Sequence, residues 1–487
     1  MKILSYCVIC FVFVTNISFA QNRITNAVHS FVNDAGMKHA SISIQIVDLK
    51  GYNVLSEYNP NLTLPTASTA KLFSTATAIE LLGPNYHPKT RLYIDGNIDS
   101  AGILNGNIWI RGGGDPSLAS KYFTNEGEEL DFMQEWIVQL KDMGIKKVNG
   151  GVIADASEFH FEGVPDDWNW VDMGNYYGAG PSGLTIYDNL LRYTFTIASV
   201  PGEPSILKSI EPEVPNLNFH NYIKSSNRKG DNSYLYGAPF SLDRFGTGTL
   251  PVGQNSFVVK GSLPDPESQF AYEFNKALIE SGISVFAPAK SARSEQISSS
   301  NKSYQNRTLV HTQEGIKVNE IIKETNHKSI NLFAEHLINL IGYTSTGNGS
   351  TVQGLKILKK YWEGKLNTEG LVINDGSGLS RSNAISASHF TQLLYYMQNA
   401  KDFSCFYNSL PTAGVSGTLK NLCKNQAGQN RIKAKSGTMT RIKSYAGYVK
   451  TTSNKNLAFA IVVNNSTYSR RELKSKIEQL LNAIATY

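Results

Sequence analysis

Four serines in this chain stand three residues before a lysine: Ser68, Ser205, Ser226 and Ser299. On a helix that spacing puts both side chains on one face. A lysine held there in its neutral form can take the serine's proton, and the hydroxyl becomes a nucleophile. The bare pattern is common, so context separates the four. Ser226 lies in the polar run Ser225-Ser226-Asn227-Arg228-Lys229-Gly230, and Ser299 in a serine-rich linker. Ser205 follows Pro204 and precedes no long helical pattern. Only Ser68, in Thr66-Ala67-Ser68-Thr69-Ala70-Lys71-Leu72-Phe73, opens helix-like spacing: Leu72, Phe73, Ala76, Ile79, Leu82, then Gly83 as a stop. The rival reading is a surface helix start with the serine as its cap.

Two further elements carry compatible chemistry. In Asn326-His327-Lys328-Ser329-Ile330-Asn331 a serine and an asparagine stand two apart on a turn before an apolar helical run. Ser329 can relay a proton, and the Asn331 amide can hold a lysine and a substrate carbonyl. Alone, the pair also reads as a helix cap. Lys435-Ser436-Gly437-Thr438 occupies a strand-like segment, and Lys-Ser/Thr-Gly occurs once in the chain. Lys435 supplies a positive charge for a carboxylate. Gly437 lets another backbone approach the strand edge. The amide of Thr438 can then share an oxyanion with the amide of Ser68.

The elements that must position these groups fall into a recognisable order. The first twenty residues read as a secretory leader, with Lys2 as basic start, Val8 to Val14 as apolar core and cleavage after Ala20. Ser41 to Val47 alternates as a half-buried strand, and Val54 to Tyr58 follows as a second. From about 93 to 280, short strands, glycine turns and aromatic loops dominate. Helical periodicity returns at Val318 to Thr325, Leu332 to Ile341, Thr351 to Tyr361 and Ala387 to Asn399. Strands at Lys433 to Ser436, Ser444 to Thr451 and Leu457 to Val463 precede a last amphipathic helix, Arg470 to Ala485. This order predicts an α/β (α+β) fold. One domain, residues 21–92 and 281–487, carries an antiparallel sheet built from both chain ends and covered by helices. A large β-rich insertion at 93–280, in two subdomains, interrupts it.

Composition narrows the class. The chain has 487 residues, 41% of them hydrophobic, enough for a large core. Its net charge is +6, one less once a leader carrying Lys2 is removed. No dense Lys/Arg stripe points to nucleic acid. The nine histidines form no H-E-x-x-H or Cys/His cluster, so no metal or cofactor is expected. Cys405 and Cys423 remain after the leader and either pair in an oxidising compartment or stay as two buried thiols.

The three motifs, in this order and behind an export signal, resemble those of the penicillin-recognising serine peptidases. The long interval from Ser68 to Ser329 resembles the D-alanyl-D-alanine carboxypeptidase/endopeptidase family, the class C low-molecular-mass penicillin-binding proteins. Asn374-Asp375-Gly376-Ser377-Gly378-Leu379-Ser380-Arg381 is a near copy of that family's D-G-S-G-L-S-R signature. Leu410-Pro411-Thr412-Ala413-Gly414-Val415-Ser416-Gly417-Thr418-Leu419, Gly114-Asp115-Pro116-Ser117-Leu118, and Trp170-Val171-Asp172-Met173 with Tyr176-Tyr177 resemble further segments. Ser436 replaces the commoner threonine, and Ile330 stands where aspartate is frequent.

The resemblance implies a β-lactamase/transpeptidase-like catalytic domain and a DD-peptidase acting on peptidoglycan stem peptides and cross-links. β-Lactam antibiotics would be its covalent inhibitors. Ser68 would attack, with Lys71 as base under the influence of Lys435. Ser329 would relay the proton, Asn331 position the substrate, and Lys435 anchor its carboxylate. Asp172, with Tyr177 beside it, would contact the diamino-acid amine, or else cap a turn. Arg381 would bind the terminal carboxylate, or form a structural salt bridge. Thr418 would hydrogen-bond substrate. Asp375 is read as a turn residue, and Glu335 to Asn339 as helix surface. A β-lactamase or esterase on the same scaffold, and a non-catalytic wall-binding protein, are the alternatives. Oligomeric state is not legible.

Overall fold

The computed structural model describes residues 23–296 and 304–487. The leader and most of the serine-rich linker, Ser299 included, lie outside the described residues. The chain divides into two compact units. Unit 1 comprises residues up to Pro84, Ile322–Ser329 and Leu358–Tyr487; unit 2 comprises Asn85–Ile321 and Ile330–Ile357. The expected borders, 93 and 280, differ from these. Unit 2 also takes the strand Thr308–Glu314 and the helix Asn331–Thr346.

Unit 1 is built on one five-stranded antiparallel sheet: β1 (Ser41–Asp48), β2 (Asn53–Tyr58), β3 (Ile432–Met439), β4 (Ile442–Lys450) and β5 (Asn456–Asn464). Its order is β3-β4-β5-β1-β2. The chain ends join where β1 pairs with β5, Ser41 opposite Asn464 through Asp48 opposite Leu457. The β1 alternation puts Ile42, Ile44 and Ile46 in a core with Ile24, Val28 and Phe31 of the helical stretch 23–32. Leu473, Ile477, Leu480 and Ile484 complete it. These four recur at helical spacing along the helix Arg470–Ala485, whose Ser469 cap bonds the amide of Glu472.

The opposite side chains of β1 are not solvated. Ser43 and Gln45 are buried, Ser43 accepting the amide of Ala387 and Gln45 meeting Thr391 of the helix Ala387–Gln398. The half-buried strand expected from alternation is therefore covered on both faces, and its polar residues are paired rather than wet.

Among the described residues, unit 2 has four sheets of three to five strands, one large apolar core, and a small separate cluster of Trp109, Ile153, Ala292 and Tyr304. Two of its helices interrupt the region read as strands and turns. Asp131–Asp142 buries Met133, Trp136, Ile137 and Leu140 at helical spacing. Pro266–Glu280 starts behind Asp265, which caps the amide of Ser268, and buries Phe270, Phe274, Ala277 and Leu278. Among the described residues no helix is long and apolar enough to cross a membrane.

Candidate active site

The Ser68 segment enters its helix through a strained turn. Ala67 has φ +50°, a left-handed conformation that costs a non-glycine residue about 1–3 kcal/mol. The turn is held by its neighbours. The Thr66 carbonyl accepts the hydroxyls of Ser444 at 2.5 Å and Thr69 at 2.9 Å. The Pro65 carbonyl accepts the Asn464 amide at 3.1 Å. Ser68 itself sits in a short 3₁₀ turn, Ala67–Ala70, and the α-helix proper, α1, runs Lys71–Leu82 to the predicted stop at Gly83. Ser68 is half-buried and Lys71 is fully buried.

Lys71 is aimed at Ser68. Its Nζ donates to Ser68 Oγ at 3.0 Å and to the Ser377 carbonyl at 2.7 Å. That carbonyl belongs to the Asp375-Gly376-Ser377-Gly378 loop, which Asp375 organises from within. Its buried carboxylate accepts the amides of Gly378 at 2.9 Å and Ser380 at 2.7 Å, and the Asn383 side chain at 2.8 Å. The loop is pinned to α1 by Ser74, whose hydroxyl donates to the Gly376 carbonyl at 2.6 Å. A Cβ on Gly378 would lie 2.0 Å from the Ala67 carbonyl, so glycine alone permits this approach. Asp375 thus acts as the turn residue the sequence indicated.

The second lysine–serine pair lies in the same unit. Lys435, on edge strand β3, is fully buried, and its Nζ donates to Ser329 Oγ and to the Ser436 carbonyl, both at 2.8 Å. Its pKa is driven well below that of an ordinary lysine. Burial is the main cause, followed by the charges of Lys71 and Lys443. Ser329 has φ +64°, a second strained residue at a chemical position. On the same strand a Cβ on Gly437 would meet the Thr66 carbonyl and Ser444 Oγ at 2.3 Å and the Ser68 amide nitrogen at 3.1 Å. Gly437 therefore sets how closely β3 approaches the nucleophile's backbone.

The remaining expected contacts spread around this frame. Ser436 Oγ donates to Thr418 Oγ1 at 3.0 Å, with Thr418 on the exposed loop after Ser416. Thr438 is exposed, opposite Lys443 across β3 and β4, and accepts its Nζ at 2.7 Å. Arg381 is exposed beyond the Asp375 loop. Asn331, Asp172 and Tyr177 belong to unit 2. There the Asn331 side chain donates to the Tyr177 carbonyl at 2.8 Å. The Tyr177 phenol is hydrogen-bonded to Asp172, and burial and that carboxylate both raise its pKa.

Sequence reasoning missed Ser444, Ser74 and Lys443, which hold the Ser68 turn, the Asp375 loop and Thr438. Lys443 has its pKa lowered to about 8, first by burial and then by Lys474 and Arg470. Among the described residues, the matches at Ser205 and Ser226 carry no comparable pair. Ser205, before the strand Ile206–Glu211, donates to the Ile223 carbonyl at 2.9 Å, and Ser226 ends the strand Lys224–Ser226. One expectation is corrected. Glu335 and Asn339 are buried rather than on a helix surface, with Asn339 donating to the Gly349 carbonyl at 2.7 Å. Of the two alternatives left open for the cysteines, the structure has free thiols at Cys405 and Cys423, the latter pushed up to about 12 by burial and Glu478.

Comparison with known proteins gives one consistent result. The model of the D-Ala-D-Ala carboxypeptidase 3 (S13) family matches residues 24–486. A D-alanyl-D-alanine carboxypeptidase from Actinomadura sp. (strain R39) is 27% identical over 461 residues, covering 90% of this chain and 80% of the relative. The D-alanyl-D-alanine carboxypeptidase DacB of Haemophilus influenzae is 24% identical over 496 residues, 96% and 94% of the two chains. The crystal structure of penicillin binding protein 4 (dacB) from Haemophilus influenzae superposes with a TM-score of 0.77 at 20% identity, covering 97% of this chain and 100% of that one. The same protein complexed with a novel β-lactam gives 0.73. The fold is thus the mixed α/β, transpeptidase-like one expected, and the chain belongs to the D-Ala-D-Ala carboxypeptidase 3 (S13) family of serine peptidases.

Proposed function

We propose that this enzyme trims peptidoglycan stem peptides, and also cuts D-Ala cross-links to a diamino acid, through an acyl-enzyme on Ser68. Its serine-type D-Ala-D-Ala carboxypeptidase activity is that of its family; cross-link cutting and the individual residue roles are our reading. The observation that carries it is the pairing of Ser68 Oγ with Lys71 Nζ at 3.0 Å beside a second pair, Lys435 Nζ and Ser329 Oγ at 2.8 Å.

In this reading Ser68 Oγ attacks the carbonyl carbon of the penultimate D-Ala while neutral Lys71 takes its proton. The carbonyl oxygen becomes an oxyanion facing the amides of Ser68 and Thr438. Ser329 passes a proton to the departing amine, and the peptide C–N bond breaks. Water then attacks the ester, releasing the acid and restoring the Ser68 hydroxyl. Burial and the cations Lys71 and Lys443 disfavour the charged form of Lys435, and an incoming substrate carboxylate would favour it. This supports Lys435 as the carboxylate anchor, assisted by Ser436, Thr418 and Arg381. Asn331 would hold the substrate backbone, and Asp172 with Tyr177 the diamino-acid amine. The leader-like first twenty residues support export, to a periplasmic or wall-associated location.

Incubating the purified protein with uncross-linked and cross-linked muropeptides and weighing the products tests this. Loss of one D-Ala, and resolution of dimers to monomers, is expected. Products cut elsewhere in the stem, or none, would overturn it.

A further inference from the structure

The inserted unit holds a buried cation that no carboxylate among the described residues pairs with. Arg244, on the strand Asp243–Pro251, is 1% exposed. Its Nη1 donates to the Ala238 carbonyl at 2.8 Å. Among the described residues its Nε and Nη2, both buried, have no hydrogen-bond partner. The titratable group that acts on it is Tyr193, whose phenol burial pushes up to about 12 and so keeps neutral. A guanidinium does not shed its proton in proteins. Buried polar groups without partners are rare, and an ion or water normally accounts for them.

Arg244 lines a cavity of about 30 Å³ together with Met173, Gly178, Ser262, Asp265 and Glu267. A single water needs roughly 10–15 Å³ measured this way, so the space suits a monatomic ion better than a carboxylate on its carbon stem. The two carboxylates on the wall are engaged elsewhere. Asp265 pairs with Arg293 and caps the amide of Ser268 at 3.0 Å. Glu267 accepts the amide of Ala156 at 3.0 Å and lies 3.9 Å from Arg293, and burial pushes its carboxyl up to about 8, toward the uncharged form. On the other wall, Met173 directly follows Asp172 and Gly178 directly follows Tyr177. Ser262 ties it down, its hydroxyl donating to the Met173 carbonyl at 2.7 Å and its amide to the Gly174 carbonyl at 3.0 Å.

We infer that this cavity binds one small monovalent inorganic anion of the halide class, held by the Arg244 guanidinium, and that the anion braces the segment bearing Asp172 and Tyr177. The site is independent of the acylation chemistry, so its failure would leave the Ser68 reading untouched.

The test uses the full chain at constant ionic strength, with sodium gluconate replaced stepwise by sodium chloride or bromide. Melting temperature should rise saturably with either halide, and Arg244→Met should lose that dependence. Bromide-soaked crystals of the unaltered protein should show an anomalous peak against the Arg244 guanidinium, which decides the matter even if the variant does not fold. Melting indifferent to halide, or an anomalous map empty at Arg244 with water refined there, would overturn the inference. A halide response unchanged in Arg244→Met would also overturn it, placing the effect elsewhere on the surface.

Discussion

Replacing Gly437 by alanine tests the geometry most sharply, because the substitution adds one methyl and no charge. The φ of Gly437 lies outside the left-handed region, so alanine carries no backbone penalty there and only space is at issue. The new Cβ would lie 2.3 Å from both the Thr66 carbonyl and Ser444 Oγ, and 3.1 Å from the Ser68 nitrogen. Ordinary contact needs roughly 3.4 Å or more, so β3 must back away from the Ser68 turn by about 1 Å. Overpacking of this kind costs about 1–3 kcal/mol of stability. A misplacement of ~1 Å at reacting groups costs about a hundredfold in rate. The second-order rate of acylation by a fluorescent penicillin, followed by stopped flow, should therefore fall about a hundredfold in a variant that still melts cooperatively. Adding Ser444→Gly should not restore it, since the Thr66 carbonyl, a backbone atom, still blocks the methyl. Acylation within about threefold of the parent would refute the argument that β3 approaches Ser68 as closely as the structure has it.

Three further expectations follow from other sites. Lys71→Arg keeps a positive charge but cannot act as a base, so acylation should fall by roughly 10²–10⁴; near-normal labelling would mean Lys71 contributes charge alone. Asp172→Asn should lower kcat/KM by about tenfold to hundredfold on substrates with a free diamino-acid amine, the worth of a charge-assisted bond of roughly 1.5–3 kcal/mol. Amine-free D-Ala-D-Ala peptides should lose far less; equal losses would make Asp172 structural. Glu267 has its carboxyl raised from 4.5 to about 8, chiefly by burial. The folded state then holds a proton that the unfolded state has lost, so stability from this group falls as pH rises from about 4.5 to about 8. Glu267→Gln should flatten that decline in denaturant titrations at pH 5 and pH 8; an unchanged slope would contradict it.

What the sequence made legible, and what it hid, separates along physical lines. Side-chain chemistry at fixed spacing was readable as local structure: Ser68 stands one turn before Lys71 at a helix start, Lys435 and Gly437 lie on a strand, and Asp375 holds its own loop. Periodicity located most elements within a few residues. Four helices went unread, the short Trp170–Met173 and Phe403–Ser409 among them, and for the two longest the signals were present: Met133, Trp136, Ile137 and Leu140 recur at helical spacing, and Asp265-Pro266 is a capped helix start. Glycine- and aromatic-rich surroundings drew that region toward strands. Backbone strain at Ala67 and Ser329 was not readable, because the tertiary hydrogen bonds that hold it, from Ser444 and Lys435, come from far along the chain. Burial was equally hidden. Ser43, Gln45 and Glu335 are polar by type and buried by position, which only the packing of distant helices decides. Asp172, Tyr177 and Asn331 were identified by motif, and the structure adds the hydrogen bonds that join them: Asp172 to the Tyr177 phenol, Asn331 to the Tyr177 carbonyl.

The most direct test of the central claim is the site of covalent attachment. The protein is incubated with benzylpenicillin, quenched in acid, digested and mapped by tandem mass spectrometry. One penicilloyl group is expected on the peptide containing Thr66 to Lys71, at Ser68, and none on protein carrying Ser68→Ala. An adduct at Ser205, Ser226, Ser299 or Ser329, or no adduct on folded protein, would contradict the account.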